Sequence, residues 1–259
     1  MQKVIEKLKE VESNEVGIII YSNMEQKIVS SFNSEIKVPL ASAAKVAIGF
    51  CIAKWVEEGH LMWNDIIEGI SLNPEEDSKI LYPHLQQRRS LALHEAVEVM
   101  IACHDSYIAN KIVQVCGGWD KVNAKMNLYF NTIHITQNSR DLNNSGELSQ
   151  LLELLCLIYQ GYKTSPKLWT PLINGLVRQQ DEVKGIPPHL LNHMTGGLEN
   201  VVVDVGIIGE FHQNPLLYVL AAKNLPSRFE NEESDQKIMV AMELLYKEYL
   251  KQEVGVPNG

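Results

Sequence analysis

Two hydrophobic rhythms alternate in blocks along the chain. Val4, Ile5, Leu8 and Val11 recur every three to four positions, which predicts an amphipathic helix over residues 2–13. The period then shortens to β-rich runs over 16–21 and 27–32, joined by the turn-like Ser22-Asn23-Met24-Glu25, so a helix feeds a hairpin. Between residues 42 and 180 helical patterns recur at 42–58, 93–102, 107–116, 119–128, 146–159 and 167–178, with polar loops between them. After Pro187-Pro188 come three more β-rich runs, 190–195, 201–208 and 216–222, and then a long amphipathic helix over 233–252.

Strands at both ends therefore bracket a helical insertion. The arrangement that buries these faces is an α+β fold: the first hairpin and the last three strands form one antiparallel five-stranded sheet, covered by the terminal helices, beside a mostly helical lobe. The expected organisation is a single domain over 1–259, with an α/β lobe of 1–33 and 182–259 and a helical lobe of 34–181. A functional cleft is expected between the lobes.

Composition narrows the possibilities. In 259 residues, 45% apolar, there is enough material for a substantial core. The 32 acidic against 23 basic residues give a net charge of -9, and no basic cluster is dense enough to follow a phosphate backbone, which argues against nucleic acid as a partner. No apolar run reaches the ~18 residues that span a bilayer. The opening MQKVIEKLKEVESNEVGIII lacks the regions of a signal peptide, so the chain as written is expected to be soluble and cytoplasmic, and exported if it is a mature form. Cys51, Cys103, Cys116 and Cys156 lie far apart among apolar neighbours and read as buried free thiols. The scattered histidines suggest no metal site, and neither a cofactor nor a required protein partner is expected.

One stretch stands out chemically. In ASAAKVAIGF, residues 41–50, Ser42 precedes Lys45 by one helical turn at the head of an apolar helix. Spacing alone decides little, because Ser-x-x-Lys also occurs at Ser34–Lys37 and Ser234–Lys237. At Ser42 the helix body is apolar on nearly every side, which marks a buried helix where a lysine is out of place without a partner or a task. Burial lowers an amine's pKa, and an amine one turn from a hydroxyl can accept its proton. The same residues also fit a plainer arrangement in which Ser42 caps the helix and Lys45 snorkels to solvent.

Together with segments further along the chain, this stretch resembles the serine β-lactamase and penicillin-binding family, closest to the class A type with Ser-x-x-Lys, Ser-Asp-Asn and Lys-Thr/Ser-Gly motifs. The resemblance covers nearly the whole chain: LASAAKVAIGF and the adjoining WVEEGHLMWNDII are similar to the nucleophile helix and its exit, LALHEAVEVMIACHDSYIANKIV to the second-motif region, and IPPHLLNHMTGGLENVVVDVGIIG to the third-motif strand pair, with Asp204-Val205-Gly206 matching a common Asp-Ala-Gly. Two motifs depart from the pattern. Ser-Asp-Asn reads His104-Asp105-Ser106, and Lys-Thr-Gly reads Met194-Thr195-Gly196. The glutamate that activates the deacylating water in such β-lactamases has no counterpart from Lys121 to Arg140; Asp141 and Glu147 are the nearest carboxylates.

The resemblance implies Ser42 as nucleophile, Lys45 as general base, and the backbone N–H groups of Ser42 and Gly197 as an oxyanion hole. His104 stands where the family's proton-relaying serine is, with a residue bonded to a carbonyl after a helix end as its plainer role. Ser106, Asn110, Thr195, Gly196 and Gly197 are the expected substrate-side residues, with Asp105 holding the loop and Asn110 supporting it. Met194 carries no charge for a substrate carboxylate. The expected function is a serine hydrolase forming a Ser42 acyl-enzyme with a small amide, ester or β-lactam substrate. The alternative is a non-catalytic or penicillin-binding descendant without efficient turnover.

Overall fold

The computed structural model describes residues 1–13, 15–179 and 182–254. The expected lobe boundary at 181 and the terminal residues 255–259 lie outside the described residues. Helix α1 (Gln2–Leu8) leads into β1 (Glu15–Ser22) and β2 (Lys27–Phe32). The middle of the chain runs through β3 (Lys37–Pro39), a 3-10 turn at Ala41–Ala43, α2 (Ala44–Glu57), β4 (Ile66–Glu68), α3 (Ser78–Leu81) and β5 (Ser90–Ala92). It continues with α4 (Leu93–Ala102), α5 (Ser106–Val115), α6 (Trp119–Met126), β6 (Ser145–Glu147), α7 (Leu148–Thr164) and α8 (Pro166–Val177). Then β7 (Leu191–Leu198), β8 (Val201–Ile208), β9 (Leu216–Lys223) and α9 (Glu233–Val254) close the fold.

The sheet has the strand order β2-β1-β9-β8-β7, antiparallel throughout. Chain ends are knitted together at its centre, where β1 pairs with β9 from Glu15↔Lys223 to Ser22↔Leu216. Because successive strand residues face opposite sides, the sheet divides two cores. Ile18, Ile20, Tyr218 and Leu220 face α1 and α9 and pack with Val4, Leu8, Met242 and Leu245. Ile19, Val205, Val219 and Ala221 belong to the second, larger core, which runs into α2, α4, α7 and α8. A central strand buried on both faces needs apolar residues at nearly every position, which is why β1 reads VGIII.

Helix α1 ends at Leu8, five residues short of the expected limit; the chain continues in tighter turns, with Val11 N–H donating to the Leu8 carbonyl at 3.1 Å, and Val11 stays buried. Two short ladders have no counterpart in the hydrophobic pattern. β3 pairs with β6 and β4 with β5, three residues each, too short to show a period. Among the described residues no helix is long and apolar enough to cross a membrane.

Candidate active site

The β3–β6 ladder carries the chain to the 3-10 turn that holds Ser42. Leu40 N–H donates to the Asn144 carbonyl at 2.7 Å, and the Asn144 side-chain amide donates back to the Ala41 carbonyl at 3.2 Å and to the Ser139 carbonyl at 3.3 Å. Ala41 is held at φ 46°, a left-handed conformation costly for a residue with a Cβ. Strand β7 presses on this turn through Gly196, where a Cβ would lie 2.5 Å from the Leu40 carbonyl oxygen. Only glycine allows that approach.

Ser42 lies in the 3-10 turn and Lys45 in the first turn of α2, with Lys45 Nζ 3.1 Å from Ser42 Oγ. Neither the turn nor α2 has a side-chain cap, so the capping arrangement for Ser42 does not occur. Nor does Lys45 snorkel: it is 3% exposed. Burial lowers its pKa from 10.5 to about 8, against the opposing pull of Glu76 and Asp105. An amine in this state loses its proton within a unit or so of neutrality.

The second motif comes after α4. His104 takes φ 53° beyond the helix end, and Asp105 caps α5, its carboxylate accepting from Ile108 N–H at 2.9 Å and Asn73 N–H at 2.8 Å. Burial raises the Asp105 pKa, while those backbone bonds and Lys45 act the other way. This cap explains why α5 begins at Ser106. Ser106 and Asn110, one turn apart on α5, line a chamber of about 20 Å³ with Lys45, Gln137 and Asn144. Asn110 Oδ1 and Asn144 Oδ1 are buried without a hydrogen-bond partner. The chamber is large enough for one water molecule, whose hydrogens two amide oxygens can accept. No carboxylate among the described residues lines it. Asp141 is engaged in its own turn, accepting from Asn143 N–H at 2.9 Å, and Glu147 sits on β6 opposite Lys37.

Thr195, Gly196 and Gly197 lie along β7, where they line a different cavity of about 410 Å³ together with His193, Asp204 and Arg228. The structure thus brings Ser42, Lys45, Ser106, Asn110 and Gly196 around the Ala41–Ala43 turn, and sets Thr195 and Gly197 along the adjoining strand edge. Met194 is fully buried and faces the helical side, whereas His193 faces α9 and binds the Asp204 carboxylate through Nδ1 at 3.0 Å. His104 engages Gln179, its Nε2 lying 2.7 Å from Gln179 Oε1. Gln179, Asn144 and Glu76 are not among the residues expected from the sequence. Glu76 has the acidic run Glu75-Glu76-Asp77 as a faint signal, whereas Gln179 and Asn144 are ordinary polar loop residues.

A model of the Beta-lactamase enzyme family matches residues 2–249 of the chain. The protein belongs to the β-lactamase enzyme family. Its fold is that of class A β-lactamases and of the penicillin-binding protein PBP-A. A PBP-A mutant in acyl-enzyme complex with penicillin G is 19% identical, with a TM-score of 0.79 and 96% of each chain covered. A β-lactamase from Chitinophaga pinensis is also 19% identical, with a TM-score of 0.79 over 96% of this chain and 98% of that one. An ancestral class A β-lactamase is 15% identical, with a TM-score of 0.76 over 95% and 98%. No curated protein matches. Family membership supports a serine hydrolase of the β-lactamase or penicillin-binding type.

Proposed function

We propose that this protein is an acyl-transferring serine enzyme in which Ser42 attacks the carbonyl of a small amide, ester or β-lactam and Lys45 is the general base. The observation that carries this reading is the buried Lys45 amine 3.1 Å from Ser42 Oγ, with its pKa lowered to about 8. In the neutral form the Oγ–H donates to Nζ, and the proton moves to the amine as the Oγ–C bond forms. The backbone N–H groups of Ser42 and Gly197 receive the developing oxyanion. As the C–N or C–O bond breaks, the proton passes to the leaving atom, with His104 as the relay. Ser106, Asn110, Thr195, Gly196 and Gly197 form the walls.

Two features set the substrate and the outcome. With a fully buried thioether at 194, the site offers no third-motif cation, so a substrate carboxylate loses a charge-assisted contact of about 1.5–3 kcal/mol, one to two powers of ten in affinity. With no carboxylate among the described residues lining the Asn110–Asn144 chamber to activate a water there, hydrolysis of the acyl-enzyme is slow. The protein therefore resembles a penicillin-binding protein in its kinetics more than an efficient β-lactamase.

Intact-mass spectrometry after exposure to a chromogenic cephalosporin and to an activated ester tests this. A persistent adduct on the wild-type chain, absent from Ser42→Ala, is expected. Equal labelling of Ser42→Ala overturns the assignment. A non-catalytic descendant is the second reading, favoured by the buried Met194 and by the engagement of His104 with Gln179; it requires that neither protein be labelled.

A further inference from the structure

The two altered motifs are joined by a residue that belongs to neither. Gln179 lies just beyond α8, and Arg178 before it is anchored to α4 by an ion pair with Glu98 at 3.0 Å while its guanidinium lies over the Tyr82 ring. The side chain of Gln179 is thereby delivered to the end of α4. Its Nε2 lies 2.5 Å from the Ile101 carbonyl oxygen and 3.5 Å from Met194 Sδ, and its Oε1 lies 2.7 Å from His104 Nε2.

These partners decide which way the amide points. A backbone carbonyl and a thioether can only accept, so the NH2 group must face Ile101 and Met194. The amide oxygen is then turned toward His104. An oxygen facing a ring nitrogen at 2.7 Å requires that nitrogen to carry a proton.

We infer that Gln179 is a positioning residue that holds His104 with its proton on Nε2 and couples the second motif to the third through the chain His104–Gln179–Met194. In the neutral ring the lone pair then resides on Nδ1. The same chain explains why the two motif changes occur together. A lysine at 194 has only donors, which would confront the amide NH2, and turning the amide over would place its oxygen against the Ile101 carbonyl and its NH2 against His104 Nε2. Histidine at 104 and methionine at 194 are mutually compatible through this glutamine.

The part His104 plays in proton transfer rests on the acyl-transfer reading, but its tautomer does not, and the test separates them. The imidazole nitrogens are observed by long-range 1H–15N NMR on the full chain at a pH where the ring is neutral, with the His104 signals assigned by their loss in His104→Gln. The wild-type spectrum is expected to show a pyrrole-type Nε2 and a pyridine-type Nδ1. Gln179→Leu and Met194→Lys are each expected to shift the population toward the Nδ1–H form. A wild-type ring protonated on Nδ1 overturns the inference without need of any variant, and so does a folded Gln179→Leu protein with an unchanged His104 spectrum. Neither result bears on whether Ser42 is acylated, and failure of acylation leaves the tautomer result standing.

Discussion

Replacing Lys45 by methionine should make the protein more stable near neutrality and remove one specific pH dependence. In the native state the amine is 3% exposed and its pKa falls from 10.5 to about 8, with burial as the leading cause. A depression of that size corresponds to about 3 kcal/mol between the two protonation states. Proton counting gives the sign. Between pH 8 and 10.5 the unfolded chain binds more protons at this site than the native one, so wild-type stability rises with pH through that window. Above 10.5 the penalty is gone, and below 8 it is present in full. Methionine has similar length and no proton, so its advantage is greatest below pH 8, less about 1 kcal/mol for the lost bond to Ser42. Urea denaturation of both proteins at intervals from about pH 7 to 9.5 should show the difference in unfolding free energy shrinking by about 2 kcal/mol. Taking the difference cancels the other lysines, tyrosines and thiols that titrate over the same range. If the gap stays constant across that range, Lys45 does not hold a depressed pKa and its proposed role as base falls with it.

Three further outcomes rest on the same geometry. The rate of Ser42 acylation should climb about tenfold per pH unit below pH 8 and level off above it, because only the neutral amine accepts the proton; stopped-flow profiles that are flat from about pH 6 to 9 contradict this. Gly196→Ala puts a Cβ 2.5 Å from the Leu40 carbonyl oxygen and 2.8 Å from Val203 Cγ1, and should cost about 1–3 kcal/mol in urea unfolding and slow acylation more than about tenfold as β7 is pushed off the nucleophile turn. Asn144→Asp turns a buried donor shared by the Ala41 and Ser139 carbonyls into an acceptor, and a loss of about 2–3 kcal/mol is expected; an unchanged unfolding midpoint would show that the amide does not brace the turn.

The sheet is legible in the chain because its strands are long enough to display a period and because β1, β9 and β8, inside it, are buried on both faces. The pattern predicts β2 and β8 at their observed limits, and β7 and β9 to within a few residues at their ends. The three-residue ladder that places the Ser42 turn carries no such signal: Lys37-Val38-Pro39 becomes a strand only because Ser145-Gly146-Glu147 lies beside it. Lys45 is legible for a related reason, being a charge at the head of a helix whose next eight residues are all apolar. The competing cap arrangement can be dismissed only with the Ser42 hydroxyl and its neighbours in place.

What the pattern of residues conceals is the compensation between distant substitutions. His104 and Met194, taken singly, each look like the loss of a catalytic group. In the folded chain they are partners of one amide, from a residue 75 positions after the first and 15 before the second. A glutamine after a helix end has no sequence signature for this task, since any polar residue there is compatible with a solvated loop. The physical constraint emerges only when donors and acceptors are counted around it: two hydrogens for Ile101 and Met194, one oxygen for His104. That count makes the two altered motifs parts of one hydrogen-bonded bridge, His104–Gln179–Met194. It also leaves the Ser42–Lys45 pair, whose contact involves neither motif, as the part of the site on which the proposed chemistry rests.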